Sequence, residues 1–127
     1  MPAQHTPPNP VTPGHPRFFL GSDSAPHPPH TKASSTPTSA CAAGVYTSPI
    51  LLPLVAHLLE SFGALPQLDG FVSTHGRRFY ERPGRADARP VRLRRTQDYV
   101  VPEKWALEQE AVVPFWAGKS LGWKIVQ

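Results

Sequence analysis

The sequence predicts a mixed α/β fold, and three patterns carry that prediction. Phe18–Leu20 is a short apolar run bounded by Pro16 and Gly21, which is typical of a strand buried on both faces. Apolar residues recur at helical spacing from Ile50 to Phe62, which predicts an amphipathic helix. Apolar and basic residues alternate over Val91–Arg94, the pattern of a half-buried strand. With 127 residues, the chain has room for one domain.

The boundaries of the remaining elements follow from capping and stop residues. The long helix is expected to begin at Ser48, whose hydroxyl can cap it, and to stop at Gly63. A second short helix is expected over Pro66–Thr74, with Gly76 as its stop. His57 lies in the middle of the long helix, where we expect a structural role. Further strands are expected at 99–101 and 123–126.

Prolines predict the organisation of the front of the chain. Ten of the seventeen prolines precede Ser39, so Met1–His15 is expected to be a disordered Pro-rich tail. Residues 16–127 form the expected domain. Ser24–Ala42 is expected to be a long loop, and structureless loops of that length are usually functional or disordered.

Several classes of protein are disfavoured by composition. The single cysteine, Cys41, excludes an internal disulfide and fits a reducing compartment. The start lacks the pattern of a secretory signal, and the longest apolar stretch, Ile50–Leu59, is too short to cross a bilayer. We therefore expect a cytoplasmic protein that does not contact the membrane.

The net charge of +4 comes largely from the arginines between Arg77 and Arg95. Such a run could bind nucleic acid or an acidic partner. Aromatic residues are not interleaved at regular spacing with the arginines, as a stacking platform for single strands requires. The pattern favours a solvated face over nucleic-acid binding.

Polar residues that could take part in catalysis follow directly after the first apolar run. Asp23 and His27 stand where a strand of a parallel barrel would end, which is where such barrels carry their reactive side chains. Asp and Ser after a strand are also common turn formers, and this second interpretation stays open on spacing alone.

Four segments in order resemble one known family. Phe19–His27 resembles the segment that closes the barrel of dihydroorotases, within the amidohydrolase superfamily. Cys41–Pro49 resembles the substrate loop and helix start that follow it. Gly76–Tyr80 and Val113–Gly118 resemble C-terminal landmarks of the same family. The resemblance runs from Pro16 to the end of the chain, and it is greatest to the homodimeric, non-fused type.

The resemblance implies both a fold and a reaction. The fold would be the C-terminal part of a (β/α)8 TIM-type metal-dependent hydrolase barrel: its last strand, the following helix and a C-terminal extension. A complete barrel needs about 250 residues. The family cyclises N-carbamoyl-L-aspartate to L-dihydroorotate, reversibly, in pyrimidine (UMP) biosynthesis. It is a zinc-dependent cyclic amidohydrolase with two zinc ions, which lower the pKa of bound water.

The resemblance assigns roles to three residues. Asp23 matches the catalytic Asp, which also touches one metal and moves a proton between the attacking water and the ring nitrogen. His27 matches the residue that holds the substrate carboxylate, and Ala43 matches a position whose backbone contacts the substrate. Most of the family's zinc ligands, including a His-x-His pair and a carboxylated lysine, have no counterpart here. We therefore expect the isolated chain to be inactive.

Two alternatives remain open. Asp23, His27 and His30 could form a small metal site, although a proline-rich loop offers little support for the ligands. The chain could also be a non-catalytic remnant or a basic interaction module. A change at Asp23 distinguishes the enzyme from the basic interaction module, because the enzyme requires its carboxylate and the module does not.

Overall fold

The computed structural model describes residues 10–32, 41–82, 84, 89–107 and 110–126. Most of the predicted tail and much of the predicted long loop lie outside these residues. The chain divides into two compact units, which we describe separately. Unit 1 comprises Met1–Leu20 and Leu58–Pro90, and unit 2 comprises Gly21–His57 and Val91–Gln127.

The helix predicted from the apolar spacing between Ile50 and Phe62 is present in the structure. Among the described residues, the α-helices are α1 (Pro29–Lys32), α2 (Leu51–Ser61) and α3 (His75–Phe79). A 3-10 turn at Ser48–Ile50 leads into α2, and α2 ends two residues before Gly63. The predicted long helix is therefore confirmed. None of the helices in the described part of the chain has the length and apolar character needed to span a bilayer.

The second predicted helix is present, but it continues beyond its predicted end and is irregular in type. A 3-10 turn at Leu65–Gln67 and a π-helical segment at Gly70–Thr74 lead into α3, so Gly76 lies inside a helix. A Cβ at Gly76 would lie 3.3 Å from the Phe19 ring. The glycine therefore allows an aromatic ring to approach the helix, and it does not stop the helix.

The strands in the part of the chain that the structure describes form two small antiparallel sheets. Strand β1 (Arg92–Val100) pairs with β4 (Ser120–Val126), and β2 (Trp105–Leu107) pairs with β3 (Glu110–Val112). The strands predicted at 91–94 and 99–101 are thus parts of one strand, and the predicted last strand is confirmed. The β1–β4 register shifts between Arg95 and Tyr99, so burial along β1 does not follow simple alternation.

The core of unit 2 is made by the start of α2 and by three residues of the strand region. Its buried apolar residues are Ile50, Leu54, Val55, Ala56, Val101, Val112 and Leu121. Each large side chain contributes roughly 1.5–3 kcal/mol on burial. His57 accepts a hydrogen bond from the Gly122 N–H at 3.2 Å, and its ring meets the Trp116 ring edge-on at 6.0 Å. These contacts support the structural role predicted for His57.

The predicted barrel strand at Phe18–Leu20 is not formed. Within unit 1, the Leu20 N–H donates to the Phe71 carbonyl at 2.9 Å, and the Phe19 ring packs 5.3 Å from the Phe79 ring. Phe18 remains 45% exposed. A strand buried on both faces requires neighbouring strands for its backbone and its side chains. No described residue pairs with this run in a ladder.

Candidate functional site

Asp23 has an unusual backbone conformation. Its φ is +43°, in the left-handed region that few residues other than glycine adopt. Asp tolerates this region better than most residues, because its short side chain can bond nearby backbone groups. The side chain of Asp23 is exposed. Strained backbone of this kind is concentrated at functional sites.

The segments Asp23–His27 and Cys41–Ser48, which we call the loop pair, are joined side by side. Ser24 and Val45 form a parallel β-bridge, and the Ala25 N–H donates to the Val45 carbonyl at 2.9 Å. The Ser24 hydroxyl oxygen accepts the N–H groups of Thr47 and Ser48, both at 3.0 Å. Ser24 therefore caps the start of the helical region from another part of the chain, and the cap expected from Ser48 itself is wrong.

Gly44 allows the two segments of the loop pair to approach closely. Its φ is +97°, and a Cβ built there would lie 2.6 Å from the Cβ of Ala25. Real carbon atoms do not approach so closely, so a larger residue would push the segments apart. The approach depends on glycine for both space and conformation.

A lysine ties the loop pair to α1. The Lys32 ammonium donates to the carbonyl of Ala42 at 2.8 Å and to the carbonyl of Gly44. The Ala42 N–H donates to the Thr31 carbonyl at 2.9 Å, and the Cys41 thiol lies 3.1 Å from the Lys32 carbonyl. The backbone on both sides of Ala43 is therefore fixed.

A small cavity of about 180 Å³ opens beside the loop pair. His27, which is half-buried, and Lys32 line it, so two nitrogen-bearing side chains face the same space. Its other lining residues are Ala25, Gly44, Val45, Tyr46, Val113, Pro114 and Phe115. The Phe115 N–H donates to the Tyr46 carbonyl at 2.8 Å, which fixes the opposite wall. The cavity suits a small anion such as a carboxylate.

The three residues singled out from the sequence are placed differently. His27 lines the cavity, whereas Asp23 and Ala43 are exposed and do not line it. Their roles remain predictions. Among the residues that the structure describes, no group of three or more His, Cys, Asp or Glu side chains could hold a metal ion. The structure therefore does not gather Asp23, His27 and His30 into a metal site.

Sequence reasoning assigned no role to two residues that organise the site. The sequence favours Ser24 only as a turn former, and it indicates no role for Lys32. One signal was available for Lys32, which is the sole lysine before residue 104 and lies in a segment rich in proline. No pattern in the sequence indicates that Ser24 bonds to amides more than twenty residues away.

Comparisons with known proteins agree with the resemblance. No protein-family model matches the chain. It is 45% identical to a dihydroorotase of Mycosarcoma maydis over 90% of its own length and 40% of that protein. It is 44% identical to the dihydroorotase of Alkalilimnicola ehrlichii over 91% of its length and 32% of that protein.

Solved structures give the same result for the fold. A Saccharomyces cerevisiae dihydroorotase in complex with 5-fluoroorotic acid superposes with a TM-score of 0.77 at 33% identity, covering 91% of this chain and 32% of that one. A Campylobacter jejuni dihydroorotase gives a TM-score of 0.74 at 27% identity, covering 93% and 32%. The predicted resemblance to dihydroorotases is confirmed. The chain spans about a third of the length of most of these relatives.

Proposed function

We propose that the chain is the C-terminal part of a dihydroorotase and contributes Asp23, His27 and Ala43 to its active site. The observation that carries the proposal is the loop pair. Two separate segments that resemble the family are joined by hydrogen bonds, and they border a cavity that His27 lines. Similarity to dihydroorotases over nine-tenths of the chain supports the same proposal.

His27 and Ala43 would bind the substrate. Dihydroorotate is a cyclic amide with a carboxylate, and an imidazole N–H beside a cavity of about 180 Å³ can donate to that anion. The S. cerevisiae relative was solved with 5-fluoroorotic acid, a pyrimidine carboxylate of similar shape. Ala43 is exposed and small, so its peptide group is accessible to the ring of a ligand.

Asp23 would transfer the proton that ring opening requires. The attacking water must lose a proton, and the ring nitrogen must gain one when the amide bond breaks. A single carboxylate can accept the first proton and return it to the leaving nitrogen. The exposed position of Asp23, in strained backbone at the edge of the loop pair, is compatible with contact to a ligand that the rest of the enzyme also binds.

The residues of this chain do not by themselves fit the two zinc ions of the family. Asp23 is one carboxylate, and the described residues contain no cluster that could hold a metal ion. We propose that the remaining ligands belong to the two-thirds of the relatives that this chain does not cover. The complete protein would then be a cytoplasmic, homodimeric barrel, and the isolated chain would be inactive.

A chimera tests the proposal. The segment of the A. ehrlichii dihydroorotase that this chain matches, 32% of that protein, is replaced by all 127 residues. We expect the chimera to open L-dihydroorotate. The change Asp23→Asn should lower kcat by a factor on the order of 10² to 10⁴, the range for general acid–base groups.

The matched control is Asp98→Asn, which changes an exposed carboxylate in β1 and should leave kcat within about twofold, as for surface substitutions away from the chemistry. A chimera that melts cooperatively but has no activity would contradict the proposal. An active chimera in which Asp23→Asn behaves like Asp98→Asn would contradict the role of Asp23 alone.

A specific observation favours one second candidate, the basic interaction module. Arg77, Arg78 and Arg82 line an open cleft of about 440 Å³ in unit 1, together with Thr74, Glu81 and Gly84. Such a cleft could bind an acidic segment of another protein. The two functions differ in their response to Asp23→Asn, because the module should tolerate it and lose binding when the three arginines are replaced.

A further inference from the structure

Lys32 bonds to the backbone on both sides of Ala43. Its ammonium bonds to the carbonyls of Ala42 and Gly44, which are the two neighbours of Ala43 in the chain. Four donor–acceptor contacts link the end of α1 to residues 41–44, and two of them come from this one side chain. Hydrogen bonds from a charged donor are roughly twice as strong as neutral ones.

The N–H and the carbonyl of Ala43 take no part in these hydrogen bonds. Neither its N–H nor its carbonyl bonds to another described residue, although the carbonyls before and after it are both engaged. On the other side, the position that a Cβ of residue 44 would take lies 2.6 Å from the Cβ of Ala25, so Gly44 packs closely beside Ala25. Ala43 is therefore held between two fixed residues with its own polar groups exposed.

We propose that Lys32 is a positioning residue, which fixes the carbonyls that flank Ala43 so that the Ala43 peptide group is presented to a carboxylate-bearing cyclic amide. The inference rests on the proposed function, because that function supplies the ligand. Lys32 also lines the cavity that His27 lines, so its charge favours an anion there. Lys32 acts through Ala43 and the field in the cavity, and it transfers no proton.

A lysine with only a structural role would produce a different kinetic pattern. Loss of structure reduces the amount of folded enzyme, which lowers the apparent kcat and leaves KM unchanged. Loss of positioning weakens the contacts to the bound substrate, which raises KM. The ratio of the two effects, and rescue by a side chain that keeps the charge and the donors, therefore distinguishes the two roles.

The test uses three variants of the chimera described above. Lys32→Met keeps the length of the side chain and removes its charge and donors. Lys32→Arg keeps both. Lys104→Met removes the same charge from an exposed lysine in the turn before β2 and serves as the matched control.

We expect Lys32→Met to raise KM for L-dihydroorotate by about tenfold, the effect of losing one hydrogen bond to a charged group. The kcat should change by less than about threefold, because no proton passes through Lys32. Lys32→Arg should recover most of the loss, and Lys104→Met should match the unaltered chimera. An equal KM for Lys32→Met and Lys104→Met, or a fall in kcat alone, would overturn the inference.

Hydrogen exchange of the 127-residue chain separates this inference from the proposed function, because it requires no activity. Lys32→Met should speed exchange of the amides in residues 41–47 and leave those of β1 and β4 unchanged. An inactive chimera with faster exchange would overturn the proposed function and reduce Lys32 to a structural clamp. An active chimera with unchanged KM and unchanged exchange would overturn the inference about Lys32 and leave the proposed function standing.

Discussion

The loop pair and the apolar run at Phe18–Leu20 are adjacent in sequence, but they differ in how many of their hydrogen-bonding and packing partners this chain supplies. The loop pair has its partners within the chain: Ser24 accepts two amides, Lys32 engages two carbonyls, and Gly44 lies against Ala25. The apolar run has two backbone bonds, from the Phe18 N–H to the His15 carbonyl and from the Leu20 N–H to the Phe71 carbonyl, but it pairs with no strand among the described residues and Phe18 stays exposed.

This difference indicates which parts of the domain this chain can complete with its own residues. The loop pair is closed by hydrogen bonds from residues that this chain supplies, including Lys32 and Phe115 outside the pair itself. A strand buried on both faces requires neighbours on each side, and unpaired strand edges favour aggregation. We infer that this chain specifies the loop pair by itself, and that the neighbours of the apolar run belong, under the proposed function, to the part of the relatives that this chain does not cover.

The largest expected effect is on the loop pair, from Gly44→Ala. The new Cβ would meet Ala25 at 2.6 Å, in a backbone with φ of +97°. Backbone strain and overpacking each cost about 1–3 kcal/mol, so the free energy of unfolding should fall by about 2–6 kcal/mol. A urea titration of the 127-residue chain measures this loss.

Two further glycines separate the cost of backbone strain from the cost of overpacking. Gly63 has a φ of +68° and open space around its Cβ position, so Gly63→Ala should show the cost of strain alone, about 1 kcal/mol. Gly21 has open space and no positive φ, so Gly21→Ala should change stability by less than about 0.5 kcal/mol. Equal losses for Gly44→Ala and Gly21→Ala would show that the loop pair does not depend on the close approach.

The same contrast explains what the sequence predicted. The helix at α2 and the strand at β4 were predictable, because apolar spacing records a face that is buried within this chain. The run at Phe18–Leu20 was predicted as a strand from the same kind of signal, but no strand among the described residues lies in a ladder with it. The resemblance identified Asp23, His27 and Ala43. The contacts of Ser24 and Lys32 are bonds between distant turns, for which local sequence has no periodic signal.

A smaller effect is expected from Phe19→Ala, and its size should depend on context. In the 127-residue chain, Phe19 is half-buried against the exposed rings of Phe79 and Tyr80. Its truncation should cost about 1–2 kcal/mol, below the 3–5 kcal/mol typical of a fully buried Phe. In the chimera, where the barrel neighbours are restored, the cost should rise into that range. Free energies of unfolding of both proteins, from urea titration, measure the two costs.

Leu121 provides the matched control for the comparison of the 127-residue chain with the chimera. It is 1% exposed within unit 2, so Leu121→Ala should cost about 2–5 kcal/mol in the chain and in the chimera alike. If Phe19→Ala costs the same in both proteins, the apolar run is as complete in this chain as the core of unit 2. That result would remove the distinction between the two regions.

The smallest effect concerns pH and a third region, the β1–β4 sheet. Burial raises the pKa of Tyr99 above its ordinary value of 10.0, because the surroundings disfavour the charged phenolate. The folded state therefore binds the Tyr99 proton more tightly than the unfolded state does. Its contribution to stability is present below pH 10 and is lost as the pH rises through the raised pKa. Tyr99→Phe should weaken the decline in melting temperature between about pH 9 and pH 11, given the reference pKa of tyrosine. Tyr46→Phe is the control, since a similar response there would assign the alkaline loss to the loop pair and not to the sheet.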